Sequence, residues 1–235
     1  MAKLSNLGAV ILAAGCGRRM GAVKPLLDLG GTTAIERIVD AYRRAGVGAL
    51  CAVIAPRAGG LAERLDALEV PRAVNPDPGR GMYSSVRVGA GFLRKGLAGF
   101  FVHPADLPLV RPETLRRLAA SLGDGIAVVH PVAAGRRGHP PLLAASLRAR
   151  LPDAEPPGGL RGFLAAQPPE SVAEVEVADE GIFLDLDTPA DYRRALRRIA
   201  AGPPASGPDP RLTQRRAAAN PALLAVRRLT RRASP

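Results

Sequence analysis

Four side chains carry most of the chemistry that this sequence offers: the carboxylates of Asp106, Asp185 and Asp187 and the ammonium of Lys24. Asp106 follows the apolar run 100–102 and lies between Ala105 and Leu107-Pro108, where it has no obvious helix to cap. Asp185 and Asp187 flank Leu186 at the end of another apolar run, so a strand period of two puts both on one face. If the two runs are neighbours the acids converge, and hard oxygen donors of this kind bind Mg²⁺ bridging triphosphate oxygens. The plainer reading makes Asp187 a loop residue or cap and leaves Asp185 facing solvent.

Lys24 stands out against the composition. Arginine outnumbers lysine 30 to 3, so a lysine beside a glycine-rich loop suits a site needing a compact point charge. That loop runs through Ala13, Ala14, Gly15, Gly17, Arg18 and Arg19. It is not a dinucleotide fingerprint, because the third glycine position is Met20, and not a P-loop, because Pro25 follows Lys24. It remains a strand-to-helix loop whose backbone N–H groups can approach oxyanions while its cations neutralise a triphosphate, or a tight turn with solvated arginines. Ser84, Ser85 and Arg87 open a helix after Gly81-Met82, where they either meet a ligand or serve as ordinary caps. His139 can contact a phosphate, and Arg136, Arg137 and Arg161 an anion, although the arginine excess dilutes each assignment. His103 and His130 end strands and are expected to be packed.

The elements that must position these residues alternate. Residues 8–13 form an unbroken apolar run bounded by glycines, as in a strand buried on both faces. Thr32 or Thr33 caps a helix with Ile35, Ile38, Val39 and Tyr42 on one face, closed by Gly46. Strands follow at 50–54, 73–74, 99–103 and 126–130, with helices over 60–68, 84–94 and from Pro112. Past residue 130 come loops and an antiparallel excursion, then strands at 172–177 and 182–184 and a helix capped by Thr188 that runs to about Ile199. This order predicts an α/β fold, a Rossmann-like three-layer α/β/α sandwich on a mostly parallel sheet, with ligands beyond the carboxyl ends of the strands.

At 235 residues, 47% hydrophobic and 23% charged, the chain suits one large domain rather than a disordered polymer. Two cysteines, Cys16 and Cys51, cannot build a disulfide framework or a structural zinc site, which points to a reducing compartment, the cytoplasm. No apolar stretch reaches the roughly 18–20 residues that cross a bilayer. Half of the +12 net charge sits in residues 202–235, where seven arginines face Asp209 alone. Residues 1–201 are therefore read as the domain and 202–235 as a disordered or weakly helical basic tail.

Six motifs in order carry a resemblance over residues 8–200. They are Ala9–Gly15 with Arg19-Met20-Gly21 and Lys24-Pro25-Leu26-Leu27, Gly81-Met82 with Ser84-Ser85-Val86, Pro104–Pro108, Gly138-His139-Pro140-Pro141, Gly159-Leu160-Arg161, and Asp185–Tyr192. Together they resemble the nucleotidyltransferases that act on molybdenum cofactor, with the cytidylyltransferase branch nearest because Leu12-Ala13-Ala14-Gly15 replaces Leu-Ala-Gly-Gly. The resemblance implies a fold of the nucleotide-diphospho-sugar transferase type. It also implies transfer of CMP from CTP to the phosphate of molybdopterin with release of pyrophosphate and dependence on Mg²⁺.

In that scheme Arg19, Lys24 and Asp106 are catalytic, and Asp106, Asp185 and Asp187 hold the metal. The nucleotide lies on Ala13, Ala14, Gly15, Gly17, Arg19, Lys24, Ser84, Ser85 and Asp106, while His139 and Arg161 meet the acceptor. A molybdoenzyme or maturation chaperone is the implied protein partner. Cys16 and Tyr83 depart from the family pattern, at a nucleotide contact and at the base or acceptor pocket respectively.

Three other readings compete. A guanylyltransferase using GTP, or a transferase acting on a sugar or polyol phosphate, would use the same loop and acids. A nucleic-acid-binding protein would act through Arg215-Arg216, Arg227-Arg228 and Arg231-Arg232, but the sequence offers no helix-turn-helix, aromatic platform or zinc spacing to go with them. A lipoprotein signal ending at Cys16 would have an apolar region of only about eight residues, and its cleavage would delete the first strand.

Overall fold

A computed structural model describes residues 3–15 and 23–202. At its centre β1 (Leu7–Ala13) pairs in parallel with β2 (Ala49–Ile54) on one edge and β4 (Gly99–Pro104) on the other, and β3 (Arg72–Val74) extends the sheet beyond β2. β5 (Val128–Ala133) pairs antiparallel with β6 (Arg136–Arg137) and with β7 (Leu142–Ala144), which also joins β4. β8 (Val172–Glu176) runs parallel to β5 along its length. The expected mostly parallel sheet with an antiparallel excursion is the one found.

Alternation along β1 sorts the core into two layers. Leu7, Ala9, Ile11 and Ala13 face α1 (Ala34–Ala45), α2 (Leu61–Ala67) and α4 (Pro112–Ser121). Val10 faces α3 (Met82–Phe92), α5 (Ala145–Arg148) and α6 (Gly159–Ala165). α3 can lie this close only because Gly89 lacks a side chain: a Cβ there would stand 2.2 Å from Val10 Cγ1 and 2.8 Å from Val53 Cγ2. α7 (Pro189–Ala200) packs separately, with Ala195 against Leu29, Ala34, Leu184 and Leu186.

Local chemistry fixes the helix ends. Thr33, rather than Thr32, caps α1 in a reciprocal box with Glu36, and Gly46 closes it at φ 90°. Thr188 and Asp191 form the same box on α7. No helix among the described residues is long and apolar enough to cross a membrane.

Two readings need correction. Residues 182–184 are not a strand: Ile182 and Phe183 end a 3-10 turn, Glu180–Phe183, that Leu184 caps, because the Asp179 carboxylate accepts from Gly181 N at 3.0 Å and winds the chain locally. The helix expected over 84–94 starts at Met82 and ends at Phe92, with Gly81 as its first cap. The short helices α5 and α6 are additions, lying where the sequence suggested loops.

Candidate active site

The chain leaves β1 toward β2 on one side while β4 occupies the other, so the crevice beyond the carboxyl ends of β1 and β4 is the topological switch point. Ala13, Ala14 and Gly15 lie at the end of β1, and Asp106 lies just past β4. Ala105 N donates to Leu12 O at 3.1 Å and ties the two ends together. A cavity of about 90 Å³ lies between them, with Gly15, Lys24 and Asp106 among its lining residues.

Lys24 opens a 3-10 turn, Lys24–Leu26, whose buried Pro25 anchors it. Its Nζ donates to Asp187 Oδ1 at 2.5 Å and stands 3.8 Å from Asp106 Oδ2. The lysine side chain is 17% exposed and its two partners 32% and 43%, so the cluster is shielded but open to a ligand. Backbone contacts support the arrangement. Leu186 N donates to Asp106 O at 2.9 Å, and Tyr192 of α7 donates its hydroxyl to Asp28 O at 2.6 Å. Leu184 and Leu186 are buried while Asp185 and Asp187 are less so, and the alternation of faces persists although the segment is no strand.

Burial raises the pKa of Asp106 above the usual carboxylate range, against the pull of Lys24. Asp185 is raised by burial and then by the charges of Asp187 and Asp106, which places it within electrostatic reach of both. Among the described residues no group of three or more His, Cys, Asp or Glu side chains is gathered so as to hold a metal ion alone. Two carboxylates on either side of a lysine nevertheless fit Mg²⁺, which takes one or two protein carboxylates and completes its shell with water and phosphate oxygens.

The remaining candidates divide. His139 lies beside Asp106, whose charge acts on it, while burial lowers its pKa; its Nδ1 is buried without a hydrogen-bond partner. His139 N donates to Ile182 O at 3.0 Å, and Gly138 lets the loop approach the 180–183 turn, since a Cβ there would stand 2.6 Å from Ile182 Cγ1. Ser84 and Ser85 lie in the first turn of α3, both accepting from Asn75 Nδ2, at 2.8 and 2.9 Å. Arg161 is exposed on α6, which packs against α3 rather than against the acid cluster. Gly17 and Arg19 lie outside the described residues, as do Cys16 and residues 203–235. His103 and His130 are buried, as expected of packed histidines.

Sequence reasoning passed over two residues. Asn75, 2% exposed, organises the start of α3 from the end of β3, and an Asn-Pro pair after a strand was its signal. Asp179, also 2% exposed, accepts from Arg111 N at 2.9 Å and Thr114 Oγ1 at 2.7 Å as well as from Gly181. It joins the chain leading to Asp187 to the start of α4, and nothing in its local sequence betrays partners some 65 positions away.

The family model of the MobA-like NTP transferase domain matches residues 9–172. Bifunctional protein GlmU of Azoarcus sp. (strain BH72) is 35% identical over 117 residues, which cover 49% of this chain and 25% of that protein. The chain spans 25–29% of the length of the bifunctional relatives of this kind. The 2-C-methyl-D-erythritol 4-phosphate cytidylyltransferase of Streptomyces avermitilis is 30% identical over 206 residues, covering 77% of this chain and 80% of the relative.

Among solved structures, a nucleotidyl transferase from Methanothermobacter superposes with a TM-score of 0.71 at 26% identity, over 83% of this chain and 98% of the other. A complex of Rv0371c from Mycobacterium tuberculosis with manganese gives 0.67 at 26% identity, over 81% and 98%. Molybdopterin-guanine dinucleotide biosynthesis protein A from Archaeoglobus fulgidus gives 0.58 at 22% identity, over 83% and 98%, a likeness of fold.

Proposed function

From the premise that this chain belongs to the MobA-like NTP transferase family, we propose that it transfers CMP from CTP to the phosphate of molybdopterin, releasing pyrophosphate. One observation carries the reading: Lys24 Nζ joins Asp187 at 2.5 Å and Asp106 at 3.8 Å where β1 and β4 end.

An acceptor phosphate oxygen attacks the α-phosphorus of the nucleotide. A new P–O bond forms, the bond to the β-phosphate breaks, and pyrophosphate leaves with the electron pair. Two anions must meet, so the protein's task is positioning and charge neutralisation, without a nucleophilic side chain. Asp106 and Asp187, with Asp185 beside them, would hold a divalent cation, Mg²⁺ by preference, whose charge offsets that of the phosphate oxygens. Support for a divalent ion comes from the manganese complex of the Mycobacterium tuberculosis neighbour.

Lys24 and Arg19 hold the triphosphate, with Ala13, Ala14, Gly15 and Gly17 offering backbone to it. Ser84, at the start of α3, faces the nucleoside, with the buried Ser85 held behind it by Asn75. His139, next to Asp106, receives the acceptor phosphate, and Arg161, exposed on α6 beside α3, meets only a part of the acceptor remote from the acid cluster. A molybdoenzyme or its maturation chaperone would take the product.

A second reading has its own support. The Streptomyces avermitilis relative is by name a cytidylyltransferase of a polyol phosphate, which favours CTP while suggesting a different acceptor. The test is pyrophosphate release with CTP or GTP, each paired with molybdopterin, 2-C-methyl-D-erythritol 4-phosphate or a sugar phosphate, with Mg²⁺ or with chelator. Release limited to CTP, molybdopterin and metal is expected. Turnover only of the polyol phosphate selects the second reading, and no release with any pair overturns the transferase proposal.

A further inference from the structure

We propose that His103 and Tyr42 are a buried positioning pair that sets the loop bearing Asp106. This inference rests on the transferase reading for its kinetic consequence but not for its geometry. His103 lies in β4, three residues before Asp106, and is 1% exposed on the face of the sheet that Phe101 and Tyr42 share. A polar ring in that company is costly unless both its nitrogens are satisfied, and both are. Nε2 stands 2.9 Å from Leu107 O, and Nδ1 stands 2.9 Å from Tyr42 Oη.

Those partners determine the tautomer. A carbonyl oxygen can only accept, so Nε2 carries the proton and donates to Leu107. Nδ1 then offers its lone pair and accepts from the Tyr42 hydroxyl. The bonds run in one direction, Tyr42 O–H to His103 Nδ1 and His103 Nε2–H to Leu107 O. The neutral ring this requires is the one that burial favours, with a pKa pushed down to about 4. Tyr42 is itself fixed, buried in α1 with its ring 5.5 Å from Phe101 and edge-on to His103 at 5.4 Å.

Two consecutive carbonyls are thereby held by different elements. Asp106 O accepts from Leu186 N in the segment carrying Asp185 and Asp187, and Leu107 O accepts from His103. With the peptide planes on the C-terminal side of Asp106 fixed, the Cα–Cβ bond from which its carboxylate reaches Lys24 is set with them. An apolar residue in place of His103 would fill the space but leave Leu107 O and the Tyr42 hydroxyl without partners. The histidine therefore does what packing alone would not, which is to orient a carboxylate that it does not touch.

The test compares the wild-type full chain with His103→Phe, His103→Gln and Tyr42→Phe by thermal melting, by Mn²⁺ affinity in the presence of CTP measured by electron paramagnetic resonance, and by pyrophosphate release. His103→Phe is expected to weaken Mn²⁺ binding and lower kcat by about tenfold to a hundredfold, as outer-shell partners do, with little change in KM for CTP. His103→Gln keeps a donor and an acceptor and restores most of both, and Tyr42→Phe falls between.

A folded His103→Phe with wild-type Mn²⁺ affinity overturns the pair and leaves the transferase reading standing. If that variant does not fold, Tyr42→Phe decides, and unchanged affinity and kcat overturn the proposal. A wild-type protein that binds Mn²⁺ but releases no pyrophosphate with any acceptor sinks the transferase reading, while the pair is still judged on Mn²⁺ affinity.

Discussion

The backbone N–H of Leu186 donates to the carbonyl oxygen of Asp106 at 2.9 Å, and this one bond brings together acids that lie some eighty positions apart in sequence. Because the link is between main chains, it survives replacement of the acids' side chains. Asp106→Asn or Asp187→Asn should therefore leave the fold intact and remove metal-dependent turnover, with kcat falling on the order of 10²- to 10³-fold. Circular dichroism alongside a pyrophosphate assay checks this, and near-normal rates in either variant would mean that the metal lies elsewhere.

Lys24 tests charge against structure. Its partners are about a third or more exposed, so solvent screens the pair and Lys24→Met should change stability by no more than about 1 kcal/mol. Its effect on kcat/KM for the nucleotide should be far larger, on the order of 10²-fold. Lys24→Arg should not restore it, since a planar fork does not replace a compact ammonium between two carboxylates. Urea titration and steady-state kinetics on the same preparations separate the two effects.

Asp179 is the reverse case, structural and unforgiving. Its carboxylate takes hydrogen bonds from Arg111 N, Thr114 Oγ1 and Gly181 N, with Arg111 Nε 3.6 Å away. Asp179→Ala would strand these buried donors and should cost roughly 2–4 kcal/mol. A shift in the urea midpoint reads that loss directly. A variant as stable as wild type would show that the 180–187 segment is held by its apolar packing alone.

How much of this was legible depends on how local the signals are. α1 could be read because Ile35, Ile38, Val39 and Tyr42 repeat with the helical period and Gly46 closes them, while the choice of Thr33 over Thr32 rests on its box with Glu36. The sheet could be read from β1 because an unbroken apolar run has few other uses. The common face of Asp185 and Asp187 was also legible, though for an extended chain rather than a strand, since the winding at 180–183 comes from a side chain that also binds α4. α6 was not legible, because Gly158, Gly159 and Gly162 give a poor helix signal that its packing on α3 overrides. His103 could be placed in a strand, but its partner Tyr42 lies 61 positions away in another element.

Burial of the neutral His103 ring makes stability depend on pH in a defined direction. Burial lowers the pKa of His103 from 6.5 to about 4, and His130, buried in β5, is lowered likewise to about 4. The unfolded chain takes up these protons as the pH falls through 6.5, while the folded chain refuses them until about 4. The stabilising difference is thus fully present above pH 6.5 and is lost as the pH falls toward 4. Each histidine should account for roughly 3 kcal/mol over that window. Carboxylates titrate over part of the same range, so the measurement is the wild type minus His103→Gln difference in unfolding free energy at a series of pH values. That difference should shrink from pH 7 to pH 4 and level off below it. A difference independent of pH would mean that His103 takes up its proton in the folded protein as readily as in the unfolded chain, and that burial does not hold the ring neutral.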